Sequence, residues 1–381
     1  MSDGGHSVIV IDIATRMIGD NEDMFVIRPG ASFSLYDDFQ RENAVFLDFP
    51  DLPLSLDTKP KTTVALREIV ARSIEIRDWH LGKRSSEPSR DPADYKGKAS
   101  NRRIGKYVGA IQRLYYDLPV GAVLIIPSKT YIGDVLFAEI TGPVERRKAV
   151  RAYPGEDMMV RPVRWLGRKQ KASLTADLRG AVGRPTPVMQ LDRSLREEVA
   201  KAAFKQFVFD GTNSTKLLTT EDDFSTLDDL NIQLFNNYVA GLLAAEEAKV
   251  KAGACLQIAE ALRYLRQRRD LVPELDQSIS SPGFQRIYNG HIAPLVIGAL
   301  MTAALSGAAI AQTTEIRIKN SAMLKNDPCA VEVQERIIGS MKLAHFGEFR
   351  EMCDALLETK ADTGLKTSMK ARSRIVKKKK K

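Results

Sequence analysis

Residues 120–142 read VGAVLIIPSKTYIGDVLFAEITG, and this stretch decides the fold class of the first half. The apolar run at 123–127 has the length of a strand. Gly121 opens it and Pro127 ends it, punctuation that favours a buried strand over a helix. Residues 131–141 form a second strand candidate, closed by Gly142 and Pro143, and residues 158–166 a third. Immediately upstream the period changes. Ile104, Tyr107, Val108, Ile111, Leu114 and Tyr115 follow the i, i+3, i+4, i+7 pattern of a helix, and Arg102, Arg103, Lys106 and Arg113 fall on its other face. Further out lie a polar loop at 82–101, a helix at 62–74, a strand at 44–49 and a helix at 34–41. Strands are expected at 24–27, stopped by Arg28-Pro29-Gly30, and at 7–13. Residues 7–192 therefore read as mixed α and β.

After residue 193 the character shifts. Residues 195–209, 230–251 and 252–269 read as helical, and 331–357 as one or two helices broken near His345-Phe346-Gly347, with Phe349, Met352, Cys353 and Leu356 on one face. The expected fold class is α+β: a first domain at 1–192, an all-helical domain at 193–359, and a disordered Lys-rich tail at 360–381.

Hydrophobic residues make up 44% of the 381-residue chain and charged residues 28%, which excludes a wholly disordered, collagen-like or disulfide-scaffold protein. The three cysteines, Cys255, Cys329 and Cys353, and the four histidines are scattered, so neither a disulfide framework nor a zinc site is expected, and no cofactor is implied. The start of the chain carries no signal-peptide pattern, and a cytoplasmic location is expected. The net charge of +9 belongs to residues 360–381, where ten basic residues face one acid; the rest of the chain balances 47 basic against 47 acidic residues. Within that neutral body, residues 145–184 hold eleven basic residues and four acids, a local excess suited to a polyanion.

The same stretches resemble a known module. Residues 24–30 (MFVIRPG), 36–39 (YDDF) and 44–47 (AVFL) resemble the opening strand, helix and second strand of the PUA-like domain that precedes the nuclease in Mrr-type restriction proteins. Residues 120–127, 131–133, 137–142 and 161–165 (RPVRW) resemble its later strands, and 168–174 its arginine-led segment. The resemblance spans about 20–192. It departs from the family at Ala122, where an acidic residue is usual, and at 47–49, which read Leu-Asp-Phe in place of Gly-Trp. PUA-like relatives, the EVE and YTH groups among them, hold a modified nucleobase in an aromatic pocket. The resemblance thus implies a nucleic-acid sensor, with DNA as the expected partner, in a bacterial restriction or antiphage system. Phosphate contacts are expected from Arg161, Arg164, Arg168, Lys169, Lys171, Arg102, Arg103 and Lys106, and the pocket rings from Trp79, Tyr131 and Tyr153. Trp165, in an alternating strand, is expected in the core.

Catalytic signatures are weak. The one trace of a nuclease motif, Asp228 or Asp229 with Glu247-Ala-Lys249, lies in a helix-forming run where a strand is needed. The acids near Ser225 and Thr226 read as helix caps. No catalytic residue or metal ligand is assigned, and the chain is expected to bind rather than catalyse. Residues 292–311 carry no charge, long enough to span a bilayer. Gly298, Thr302 and Gly307 would suit close helix packing. The expected role is the buried central helix of the second domain, serving oligomerisation or a defence-system partner. The alternatives are a membrane-acting effector at the inner membrane and a divergent restriction nuclease.

Overall fold

The computed structural model describes residues 6–148, 150–278, 283–307, 314–322 and 327–376. The chain forms two compact units, residues 21–204 and residues 1–20 joined with 205–381. The class is mixed α and β.

The unit at 21–204 is built on one strongly bent sheet. Its strand order is Ala44–Val45, Met158–Gln170, Asp134–Ile140, Val123–Ile126, Met24–Ile27 and Val188–Gln190, with Glu145–Arg147 pairing the long second strand. Met24–Ile27 and Val123–Ile126 run parallel; their neighbours are antiparallel. The expected strands at 24–27, 123–127, 131–141 and 158–166 are therefore present, the last extended to Gln170. A register shift between Phe137 and Ala138 bends the Asp134–Ile140 pairing, as an inserted residue does. Two helices close the unit. Val64–His80 starts where the Thr63 side chain accepts from the Leu66 N–H, and Arg102–Gln112 where Asn101 accepts from Arg103. Their inner faces bury Leu66, Val70, Ile104, Val108 and Ile111 against Phe39, Phe46 and Leu124.

One tyrosine pins the segment that follows Ala44–Val45. The buried Tyr115 hydroxyl accepts from the Leu47 N–H at 3.0 Å and donates to the Met159 carbonyl at 2.8 Å. Ser73 adds a bond to the Pro50 carbonyl, and Arg72 reaches the Asp51 carboxylate at 3.0 Å. Residues 46–51 are thus held between the sheet and the Val64–His80 helix.

The other unit corrects the expectation of an all-helical second half. Its helices are Thr226–Glu247, Ile258–Gln267, Ala293–Leu305, Pro328–Leu343 and Phe346–Thr363, but two sheets pack with them. One sheet orders Glu274–Ser278, Gly283–Asn289, Thr212–Thr219, Gln206–Phe209 and Arg16–Ile18. In the other, His6–Asp12 lies between Glu315–Lys319 and Lys370–Val376. The expected first strand therefore belongs to this unit. The expected helix at 195–209 ends at Ala203 and gives way to a strand. The tail expected to be disordered carries the end of a helix, Lys366–Thr367 and Lys370–Val376; only residues 377–381 lie outside the described residues.

Every residue of Ala293–Leu305 is buried, as expected of a central helix. A Cβ on Gly298 would lie 2.6 Å from Thr215 Cγ2, so only glycine lets this helix approach the sheet so closely. Thr302 closes the same contact, its hydroxyl 2.5 Å from that of Thr367. At about 1.5 Å per residue the helix is far shorter than the roughly 30 Å of a bilayer core. No helix among the described residues is long and apolar enough to cross a membrane; residues 308–311 of the apolar run lie outside them. Of the acids expected to cap a helix, Asp228 does so as the third helical residue of a capping box whose N-cap is Ser225. Glu247 lies in the same helix and pairs with Arg268 at 2.6 Å.

Candidate functional site

A cleft of about 520 Å³ opens in the 21–204 unit. Three segments that the sheet brings together form it. The turn after Met24–Ile27 supplies Arg28, Gly30 and Ala31; the pinned segment after Ala44–Val45 supplies Leu47, Asp48 and Phe49; Pro185 and Pro187 precede Val188–Gln190. The helices add Arg77 from Val64–His80 and Arg103, Lys106 and Tyr107 from Arg102–Gln112.

The cleft has an aromatic corner. The Phe49 and Tyr107 rings lie 5.0 Å apart at 60°. Phe49 is buried and forms the floor, whereas Tyr107 is half-buried and offers ring surface to the cleft. Beside them stands Asp48, only 7% exposed. One of its oxygens accepts a short hydrogen bond from the Tyr153 hydroxyl, and the other accepts from the Ala31 N–H at 3.3 Å. Burial, and then the Asp48 charge, push the Tyr153 hydroxyl's pKa far up, so it stays a donor. Burial works to lower the Arg77 pKa, but its bond to Asp78 and the charges of Asp48 and Asp78 raise it overall.

The turn that delivers the Ala31 N–H is conformationally demanding. Gly30 sits at φ 70°, and a Cβ there would come within 2.9 Å of the Leu35 and Ser34 side chains. Ser32 and Phe33 follow at φ 54° and 64°, a backbone region that side chains seldom adopt and that clusters at binding sites. Phe33 carries the Arg28 guanidinium 4.3 Å from its ring centre and the Lys171 ammonium at 5.9 Å. Burial, with the Arg28 charge beside it, lowers the Lys171 pKa.

Behind Tyr153 lies a buried ionic group. His80 Nε2 is 3.0 Å from Glu156, which Arg90 clamps at 2.8 and 2.9 Å. Burial works to raise the Glu156 pKa, but these two partners lower it overall. The His80 ring meets Tyr153 edge-on at 5.6 Å, and Trp79 packs on His80 at 4.7 Å.

The expected site residues divide sharply. Arg103 and Lys106 line the cleft, and Lys171 lies near its edge over Phe33. Arg102 is exposed one residue along the same helix. Tyr153 is a correction: at 1% exposure it is no pocket wall but the donor that orients Asp48. Trp79 packs behind the cleft, and Tyr131 lies on the surface against Arg179, so neither lines it. Arg161 is also corrected. It is buried, its Nη1 reaches the Leu114 and Tyr115 carbonyls at 3.3 and 3.4 Å, and burial lowers its pKa. Arg164 pairs with Glu139 at 2.5 Å, and Arg168 lies 3.6 Å from Asp134. Lys169 sits half-buried on the same strand, outside the cleft. Arg146 and Arg147 spend their donors on backbone carbonyls and acids of the unit. The +7 of residues 145–184 therefore does not form one free basic face. Trp165 is half-buried with its Nε1 on Asn43.

Sequence reasoning missed Asp48, Phe49, Arg28 and Arg77, and read Tyr107 as core.

No family model matches the chain, and neither a curated protein nor a solved structure matches it.

Proposed function

We propose that the 21–204 unit binds nucleic acid and takes one unpaired base into this cleft. The observation that carries the reading is the meeting of an aromatic face, a buried carboxylate and several cations in one cavity of suitable size. A base removed from its stack needs a π-face and hydrogen bonds on its edge. Tyr107 supplies the first and Asp48 the second. Arg28, Arg103 and Lys106 also line the cleft and would hold the flanking phosphates, whereas Arg77 is committed to Asp78.

The carboxylate sets a preference. It can only accept, so it favours a base edge that presents N–H donors. Cytosine offers its 4-amino group and guanine its N1–H and 2-amino group. Thymine presents one N–H between two carbonyls, which the carboxylate would repel. The resemblance to PUA-like domains implies the same class of ligand. It adds the biological setting, sensing of modified DNA in a restriction or antiphage system.

The test is binding of a short labelled single strand to the full chain, followed by anisotropy. Tyr107→Ala should weaken it by about 5- to 150-fold, the worth of one stacked base. Lys106→Ala should weaken all sequences alike and lower the salt slope by about one. Undiminished binding by Tyr107→Ala, with the fold intact, would sink the reading.

A further inference from the structure

A second cavity, of about 620 Å³, lies against the first. Arg77, Arg103 and Tyr107 line both. Gly97, Lys98, Ser100, Asn101, Glu75 and Asp78 also line the second cavity.

The second cavity is not a site for a cation. Glu75 is already bonded by Lys98 and Arg84, and Asp78 by Arg77 at 2.9 Å. Besides these paired charges, its walls offer the Ser100 hydroxyl, the Asn101 amide, the Tyr107 ring and the apolar Ala71, Ile74 and Ile104. Arg103, exposed and without an ion pair among the described residues, stands between the two cavities. An unpaired guanidinium at that position suits the phosphodiester that links two neighbouring nucleotides.

We infer that the ligand is a strand unpaired over two consecutive nucleotides, one base in the Asp48 cleft, the next nucleotide in the second cavity, and the joining phosphate on Arg103. This rests on the proposed base-binding reading and narrows its substrate class. A duplex with one flipped base leaves the next base stacked and paired, and so cannot fill the second cavity.

Gly97 allows a direct test. Gly97 lines this cavity, and a Cβ there meets nothing within 4 Å, so the position accepts a side chain without strain at its first atom. The probes are dCMP, the dinucleotide dCpdC carrying a 5′-phosphate, and a labelled single-stranded hexanucleotide, titrated against the full chain. The dinucleotide should bind at least about tenfold more tightly than dCMP, the worth of one further base. Gly97→Trp should remove that advantage and leave dCMP binding unchanged. Ser100→Trp serves as a second filling variant, with thermal unfolding confirming that each folds. Equal affinity for dCMP and the dinucleotide, or an advantage that survives both filling variants, overturns the inference while leaving the base cleft standing. Binding of dCMP insensitive to Tyr107→Ala, or no binding of any probe, overturns the base-cleft reading and the inference together.

Discussion

Replacing Tyr153 with Phe removes one hydroxyl from the support of Asp48 and changes almost nothing else. The ring is 1% exposed, so phenylalanine fills the same space. The hydroxyl donates to Asp48, which is itself 7% exposed and keeps only the longer 3.3 Å bond from Ala31 on its other oxygen. A hydrogen bond to a charged group contributes about 1.5–3 kcal/mol, and Asp48, 7% exposed, keeps little solvent contact to make up for its loss. At about 2–4 °C per kcal/mol for a unit of this size, the 21–204 transition should fall by roughly 3–12 °C. Urea unfolding followed by circular dichroism should show a lower midpoint at unchanged slope, the mark of a stability loss without a change in the exposed surface. A freed carboxylate should also bind its base less selectively. A Tyr153→Phe protein within about 0.5 kcal/mol of wild type, a change typical of a neutral surface substitution, would refute the claim that this bond orients Asp48.

Two other predictions concern stability. Leu300 is fully buried in a helix whose every residue is buried, so Leu300→Lys places an unpaired charge in the core at a cost of several kcal/mol. Hydrogen exchange should show lost protection in helix Ala293–Leu305 and its neighbours, while residues 21–204, with a separate core, stay protected. Glu156 has a pKa lowered in the folded protein, so its contribution is present above the unfolded value of about 4.3 and is lost as pH falls through the folded value. Stability of the 21–204 unit should therefore decline on acidification below about pH 5, and in Glu156→Gln that decline should be shallower while the starting stability is lower. An equally steep decline in the variant would show that Glu156 is not among the groups responsible.

In the first unit the strands at 24–27, 123–126, 134–140 and the start of 158–170 were legible as apolar runs bounded by turn residues; the strand expected at 44–49 is only Ala44–Val45, and Glu145–Arg147 and Val188–Gln190 gave no such signal. The second unit hid its strands in two ways. Thr212–Thr219 buries Asn213, Ser214, Thr215 and Thr219, small polar side chains that give no hydrophobic alternation although they lie mid-sheet. Gly283–Asn289 likewise buries Gln285, Arg286 and Asn289. His6–Asp12 pairs with strands more than 300 residues away, so no local pattern could place it. In Lys370–Val376 the basic residues Lys370, Arg372 and Arg374 alternate with Ala371, Ser373 and Ile375, a period of two that charge counting reads as a tail. The site was half legible for a similar reason. Arg103 and Lys106 stood out as charges on a polar helix face. Tyr107 looked like one more core position, and Asp48 was a single acid inside an apolar run, its meaning set by Tyr153 and Ala31 from distant segments.

The most direct measurement uses three single-stranded oligonucleotides identical except for one central base, cytosine, guanine or thymine, each in a background of abasic spacers. Affinities for the full chain and for Asp48→Asn, measured at one fixed salt concentration, isolate the base contact from the phosphates. The wild-type protein should prefer cytosine or guanine to thymine by about 5- to 150-fold, the range of one good polar base contact. Asp48→Asn, which offers a donor as well as an acceptor, should erase most of that preference while keeping the shared electrostatic affinity. Equal wild-type binding of all three, or a preference that persists unchanged in Asp48→Asn, would contradict a base held on the Asp48 carboxylate.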